Sequence, residues 1–255
     1  MLKRERQRQI YQIIMVRGEV TVSELADRFG VSQMTIRRDL QGLAVQDEIE
    51  KVHGGAVKIG RAQLEDSIPV LEGLDQQAAA KRRIGEATAE LVKADETVFI
   101  GAGTTALSVA EALKERENIT VMTNALTVAN TLANSRGILL VITGGILRSQ
   151  NLSMVGYPAE RNLQGVRADK VITGIRGIDP KFGLTSDDLH EMKTNLAIMG
   201  ITTNLIVVAD HTKFGHVATS RTAPLAAATM IVTDKEAPRD IIEEIRKVGV
   251  KVIQA

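Results

Sequence analysis

The chain has 255 residues, with 32 Lys and Arg against 31 Asp and Glu for a net charge of +1, no cysteine, no tryptophan and 2% aromatic residues. Disulfides and thiolate metal centres are therefore excluded, and a ligand pocket must use backbone amides, hydroxyls and charges instead of ring stacking. No run of about 18 apolar residues occurs and no apolar core follows the charged start, so the expectation is a soluble, cytoplasmic, two-domain protein that neither crosses nor docks on a membrane.

The first eight residues, MLKRERQR, carry four bases and one acid, and such a start can clamp phosphate beside a groove. Residues 1–60 hold ten Lys or Arg and eight Asp or Glu, an excess too small to mark a nucleic-acid binder by itself. The next segment is more specific. Thr21 and Glu24 have the T-x-x-E spacing of a capping box, which predicts a helix starting near Val22. Leu25, Ala26 and Phe29 form its buried stripe, and Gly30 stands where a left-handed stop is easiest. Ser32 then caps a second helix, predicted from Gln33 to about Val45, with Ile36, Leu40 and Leu43 on its inner face.

Two helices joined by so short a turn are a helix-turn-helix, which presents the start of its second helix to the DNA major groove. Base reading is assigned to Gln33, Met34, Thr35 and Arg38, with Arg37 on phosphate and Ser32 at the leading cap. Twin arginines on an isolated helix would more often be a solvated face, and the capped two-helix frame is what shifts the reading toward DNA. A hairpin wing is expected behind the second helix, turning at Gly54-Gly55, with Lys51 and His53 near phosphate.

This stretch resembles the DeoR family of bacterial sugar-operon repressors, whose signature includes the T-I-R-R-D-L found here at Thr35 to Leu40 and the H-G-G-A found at His53 to Ala56. The family usually leads into the wing with glycine and basic residues, whereas this chain has Asp47, Glu48 and Glu50. Carboxylates are repelled by a polyanion, so the recognition helix is expected to carry more of the affinity than usual.

Residues 1–58 are read as the DNA-binding domain, 59–75 as a linker broken by Gly60, Pro69 and Gly73, and 76–255 as a second domain. From Gln76 a helix-favouring run leads into alternating strands and helices. The strands are TVFI at 97–100, ITVMT at 119–123, ILLVIT at 138–143, KVITGI at 170–175, NLIVVA at 204–209, TMIVTD at 229–234 and VKVI at 250–253. Helices are expected between them, including one near 187–200 and one near 238–247. Short apolar runs without alternation suit strands buried on both faces, so the fold class is a three-layer α/β sandwich with a mostly parallel sheet.

Ligands in such sheets bind at the carboxyl ends of the strands. There Gly101-Ala102-Gly103-Thr104-Thr105 runs from strand into helix and forms a phosphate cradle of free amides and hydroxyls. The next strands end in Thr123-Asn124, in Thr143-Gly144-Gly145 with Arg148 after it, and in Gly174 with Arg176 and Gly177. Gly101 to Ala106 also fits the G-x-G-x-x-A dinucleotide fingerprint of a redox-sensing repressor, but the following strand ends in Thr123-Asn124 and not in the acid that ribose hydroxyls require. The G-K-[ST] of a nucleotide triphosphate site is missing, and the four histidines lack a paired metal-ligand spacing.

The family resemblance continues here. The DeoR sensor domain is similar to ribose-5-phosphate isomerase and typically binds a phosphorylated sugar, which implies a role for Gly103, Thr104 and Thr105, for Asn124, and for Gly144 and Gly145. It also aligns Gly183 to Thr185, Lys193, the pattern Asp210, Lys213, Phe214 and Gly215, and Val232 to Asp234. His211 and His216 flank Lys213, and His190 has no assigned role. The family often has aspartate where this chain has Gly101, which leaves the effector's identity open. An isomerase needs a carboxylate base, yet Thr173 to Gly177 supplies none before Asp179, and Asp187, Asp188 and Glu191 read as capping and solvated charge. The expectation is a non-enzymatic regulator that binds operator DNA as a homo-oligomer, with a sugar phosphate as effector and no cofactor or metal.

Overall fold

The computed structural model of the chain describes residues 6–7, 9–11, 13–14, 19–43, 49–52, 55–58, 76–187 and 191–255. His53, Asp47 and Glu48, the 59–75 segment, Asp188 and His190 lie outside these. The chain divides into two compact units, Met1–Ser67 and Ile68–Ala255.

In the first unit the described residues between 6 and 14 are helical and are followed by β1 (Glu19–Thr21), α1 (Val22–Phe29), α2 (Gln33–Leu43), β2 (Ile49–Val52) and β3 (Gly55–Lys58). Thr21 accepts the Glu24 amide while Glu24 returns to the Thr21 amide, and Gly30 closes α1 at φ 61°. Strands β2 and β3 pair antiparallel as the expected wing. Strand β1 is an addition to what the sequence predicts; it pairs with β3 and makes a three-stranded sheet in the order β1-β3-β2. Its three residues, Glu-Val-Thr, are too few to show a period. Ile10, Ile14, Val20, Val22, Leu25, Ala26, Ile36, Leu40 and Leu43 form one buried core.

The second unit opens with α3 (Ala78–Ala89) and continues with β4 (Thr97–Ile100), α4 (Thr104–Leu113), β5 (Ile119–Thr123), α5 (Leu126–Leu132) and β6 (Ile138–Ile142). A small hairpin of β7 (Ile146–Leu147) and β8 (Met154–Val155) precedes α6 (Tyr157–Asn162) and β9 (Lys170–Gly174). Then come β10 (Gly177–Asp179), β11 (Gly183–Ser186), α7 (Met192–Gly200), β12 (Leu205–Val208), β13 (Ser220–Ala223), β14 (Met230–Thr233), α8 (Arg239–Lys247) and β15 (Lys251–Gln254).

Seven strands form one sheet in the order β15-β14-β12-β9-β4-β5-β6, and every neighbouring pair is parallel. Alternate residues of the strands feed two cores. Phe99, Val171, Val207 and Ile231 pack with Leu163, Ile198 and Ile245 on one face. Val98, Ile100, Ile172, Ile206 and Val208 pack with Ile84, Leu107 and Val128 on the other. Helices therefore cover both faces, giving the three layers expected. A second sheet of β10, β11 and β13 is antiparallel. The chain adds β4, β5 and β6 in one direction and β9, β12, β14 and β15 in the other, so the topology switches between β4 and β9, where open α/β sheets leave a crevice.

Candidate nucleic-acid interface and ligand cleft

At the start of α2 the Thr35 amide donates to Ser32 Oγ at 3.3 Å, and the Ser32 and Thr35 hydroxyls lie 3.0 Å apart. The Thr35 hydroxyl is thus engaged within the cap. Gln33, Met34, Arg37 and Arg38 are exposed, Met34 at 58%, while Ile36 and Leu40 are fully buried behind them. Exposed methionine at a helix start is apolar surface without a core to join, and it suits contact with a thymine methyl. Lys51 lies on β2 in register with Ala56.

One charge in the T-I-R-R-D-L stretch faces the opposite way. Asp39 is 1% exposed, and its Oδ2 accepts from Arg6 Nε at 2.6 Å while its carbonyl accepts from Gln7 Nε2 at 3.3 Å. Arg6 is itself buried, which corrects the reading of that arginine as a phosphate clamp; it ties the amino-terminal helix to the recognition helix instead. One signal of this was present in the sequence, an acid set after twin bases on a helix meant for a polyanion.

In the second unit Gly101 follows β4 directly, and its amide donates to the Ile172 carbonyl of β9 at 2.9 Å. A Cβ at Gly101 would lie 2.8 Å from Thr173 Oγ1, so any side chain at this position requires the β9 threonine to shift. Gly103, at φ 123°, begins α4 without any side-chain cap, so the first amides of the helix, beside Thr104 and Thr105, have no side-chain acceptor at the cap position. Thr123 Oγ1 donates to the Ile100 carbonyl at 2.7 Å and sets Asn124 beside the loop. Asn124 is 3% exposed; its Nδ2 donates to the Met154 carbonyl, and its Oδ1 has no hydrogen-bond partner among the described residues. No acid stands at this strand end, so the dinucleotide signature remains incomplete.

The remaining predicted ligand residues are placed differently. Gly144 and Gly145 have φ of 67° and 126°, and a Cβ on Gly145 would meet the Val155 carbonyl oxygen at 2.8 Å, so these glycines shape the turn into the β7-β8 hairpin. Arg148 pairs with Glu191 at 3.0 Å, both side chains being largely covered. Glu191 also accepts from Ser153 Oγ at 2.6 Å and from Asn151 Nδ2, which corrects its reading as solvated charge: it anchors the hairpin to the start of α7. Arg176 pairs with Asp187 at 3.0 Å on the surface, and Lys193 is exposed on α7. Lys213 lies beyond β12. The strand ends from β6 to β12 span four spacings, about 19 Å, so one small ligand does not reach all eleven predicted positions together.

Near Lys213 the structure gathers charges that were far apart in sequence. Lys81 of α3 is buried beside Asp210 and Lys213; burial foremost, with Lys213 adding to it against the pull of Asp210, holds its ammonium below the ordinary lysine range. His211 Nδ1 and its backbone amide both meet the fully buried Asp234, each at 2.6 Å. Burial pushes the Asp234 carboxyl up, but hydrogen bonds with Glu236 and His211 outweigh it and leave the group below its usual value. His211, Asp234 and Glu236 bring ligand-type atoms within 4.8 Å of one another. Asp234 already uses both oxygens on His211, and Glu236 pairs with Arg83 at 3.5 Å, so the arrangement is a histidine oriented by a carboxylate. A separation of 23 residues hid it from motif reading.

A winged helix-turn-helix unit and, in the same chain, a parallel-sheet unit with a topological switch point between β4 and β9 define a DNA-binding transcription regulator with a sensor domain. The chain belongs to the DeoR family: the family model for the DeoR-like helix-turn-helix domain matches residues 6–61, and that for the DeoR C terminal sensor domain matches residues 76–235. A putative aga operon transcriptional repressor of Escherichia coli is 33% identical over 98% of this chain and 93% of its own length. The glycerol-3-phosphate regulon repressor of Escherichia coli is 33% identical over 95% of each chain. Among solved structures, ribose 5-phosphate isomerase A of Methanocaldococcus jannaschii aligns over 55% of each chain at 14% identity with a TM-score of 0.41, too slight a likeness to carry an argument. No described helix is long and apolar enough to cross a membrane.

Proposed function

We propose that this protein represses an operon of carbohydrate or polyol-phosphate use, and that a phosphorylated sugar or polyol in the crevice between β4 and β9 releases it from DNA. On this reading residues 1–58 bind DNA, 59–75 connect, and 76–255 sense the effector. Gln33, Met34, Thr35 and Arg38 face base edges behind the Ser32 cap, and Arg37, Lys51 and His53 face phosphate. The effector's phosphate lies on the amides of Gly101, Gly103, Thr104 and Thr105.

The observation that carries the effector class is the unsatisfied Oδ1 of buried Asn124 beside the uncapped start of α4. A buried acceptor without a donor costs about 1–3 kcal/mol, and because this oxygen exposes under 1 Å², an effector that opens the site and places a hydroxyl next to its bound phosphate would supply that donor. Two relatives that span nearly the whole chain are named as operon or regulon repressors, one of them for glycerol 3-phosphate, which supports both the direction of control and a small phosphorylated compound. Turnover is not part of the proposal, since Thr173 to Gly177 holds no carboxylate and Asp187 is paired with Arg176.

Because one helix-turn-helix reads too few bases for a unique site, two or more copies act together. An effector shifts the equilibrium only through contacts it makes unequally in the two states. Thermal denaturation with glycerol 3-phosphate, a panel of pentose and hexose phosphates, and NADH tests the ligand class. A rise with one or more phosphates that is lost in Thr104→Ala/Thr105→Ala is expected; a rise with NADH alone would replace the proposal with a redox sensor.

A further inference from the structure

We propose that the outer edge of β6, with the β7-β8 hairpin that follows it, is the surface on which a second copy of this chain docks, the two β6 strands pairing antiparallel about a twofold axis. This deepens the functional reading above, which calls for two copies without saying where they meet.

The seven-stranded sheet has two edges, β15 and β6, and they are built differently. Strand β15 reads Lys-Val-Ile-Gln, with exposed Lys251 and Gln254 at its ends. A charge on an edge strand opposes pairing with another chain. Strand β6 carries no such guard. From Ile138 to Leu147 the sequence ILLVITGGIL contains no charged residue. Strand β6 has β5 as its one neighbour among the described residues, so alternate peptide groups of β6 point outward.

Large apolar side chains rim this edge on both faces. Leu139, 65% exposed, shares a face with Val141, which packs on the core beneath α6 and α7. Ile142, 48% exposed, shares the opposite face with Ile138 and Leu140, which pack with α4 and α5. Ile146, Leu147 and Tyr157 are 65%, 50% and 69% exposed, and Ile146 Cδ1 lies 3.5 Å from where a Cβ on Gly156 would stand, next to Tyr157. A strand added to the edge sets its own side chains beside Leu139 on one face and beside Ile142 on the other.

At such exposures the five side chains present on the order of 500 Å² of apolar surface. Interfaces are roughly 60% apolar, so covering all five would correspond to an interface of about 800 Å² per copy, the size that a stable dimer buries. The occupant is a second copy because an edge strand is self-complementary under a twofold: each β6 offers the other the same peptide groups and the same uncharged rim.

Light scattering on the full chain, without DNA or effector, measures the mass against the 27.6 kDa of one copy. The wild type is expected at two copies or a multiple of two, and Leu139→Lys/Ile146→Lys at half the wild-type mass with an unchanged circular dichroism spectrum. Because the chain has no cysteine, Leu139→Cys alone tests proximity: a short bis-maleimide is expected to join two copies, while Gln254→Cys on the other edge gives no product. A monomeric wild type, an unchanged mass for the lysine variant, or cross-linking at Gln254→Cys in place of Leu139→Cys would each overturn the proposal. A monomeric wild type would also remove the two-copy mode of DNA reading, whereas the lysine variant and the cross-links bear only on where the copies meet, so the interface and the effector reading fail separately.

Discussion

Asp39→Ala removes the acid from the buried ion pair between the amino-terminal helix and the recognition helix. Arg6 then keeps its charge with an 11% exposed side chain, and the acid it met at 2.6 Å is gone. Stranding one partner of a buried pair costs about 3–5 kcal/mol. A unit of 67 residues has a total stability of about 3–10 kcal/mol at ordinary values per residue, so this single change removes a third of it or more. For so small a unit each kcal/mol moves the midpoint by about 4–8 °C, which puts the shift at about 12 °C or more. Urea and thermal denaturation of the full chain should show an early transition in Asp39→Ala and in Arg6→Met, with the main transition of the larger unit unmoved. The double variant Arg6→Met/Asp39→Leu should recover most of the loss, because an apolar pair replaces an ionic one at little net cost. Gln7 bonds to the Asp39 backbone carbonyl, so that contact survives every substitution in the set. A coupling energy below about 0.5 kcal/mol between positions 6 and 39 would refute the role given to this pair.

Three further outcomes are expected. Gly101→Ala places a Cβ 2.8 Å from Thr173 Oγ1 and should cost the larger unit about 1–3 kcal/mol by chemical denaturation, with part of the loss recovered in Gly101→Ala/Thr173→Ala; equal losses in both would remove the steric account of this glycine. Asp234 has its folded pKa below the ordinary 3.8, so its contribution is complete above that value and is lost as pH falls through the folded one. Urea midpoints of the wild type and Asp234→Asn should therefore differ most at neutral pH and converge in acid, and a difference that widens on acidification would reverse the sign. Gly30 sits at φ +61° with open space where a Cβ would stand, so Gly30→Ala should cost only the left-handed strain, about 1–2 kcal/mol, and Gly30→Asn less, as read from melting of the smaller unit.

The features legible in the sequence are those set by neighbours along the chain. Thr21 and Glu24 lie three residues apart, Ile36 and Leu40 four, and each apolar run of the large sheet sits on consecutive residues, so caps, helices and parallel strands could be read directly. The strand ends and glycine loops from which the candidate cleft is built are local as well, and could be read in the same way. Strands β11 and β13, Gly-Leu-Thr-Ser and Ser-Arg-Thr-Ala, escape such reading because their small polar residues carry no apolar run, and they form only by pairing with each other and β10. Long-range pairs are hidden for the same reason: Arg6 with Asp39, His211 with Asp234, and Glu191 with Arg148 are joined by the fold alone. The family resemblance points to ligand positions but not to their geometry, which separates the Gly101 loop and Asn124 from the turn glycines at 144 and 145.

In the proposed mechanism the exposed start of α2 reads DNA and ligand in the second unit controls it. Fluorescence anisotropy with an operator fragment selected from genomic DNA, titrated across salt concentrations with and without a stabilising sugar phosphate, addresses it most directly. The expected result is a complex whose log affinity falls linearly with log salt, weakens about 5- to 150-fold in Arg38→Ala, and which dissociates with the sugar phosphate. Equal affinity for scrambled DNA, or an Arg38→Ala variant that binds as the wild type does, would contradict it.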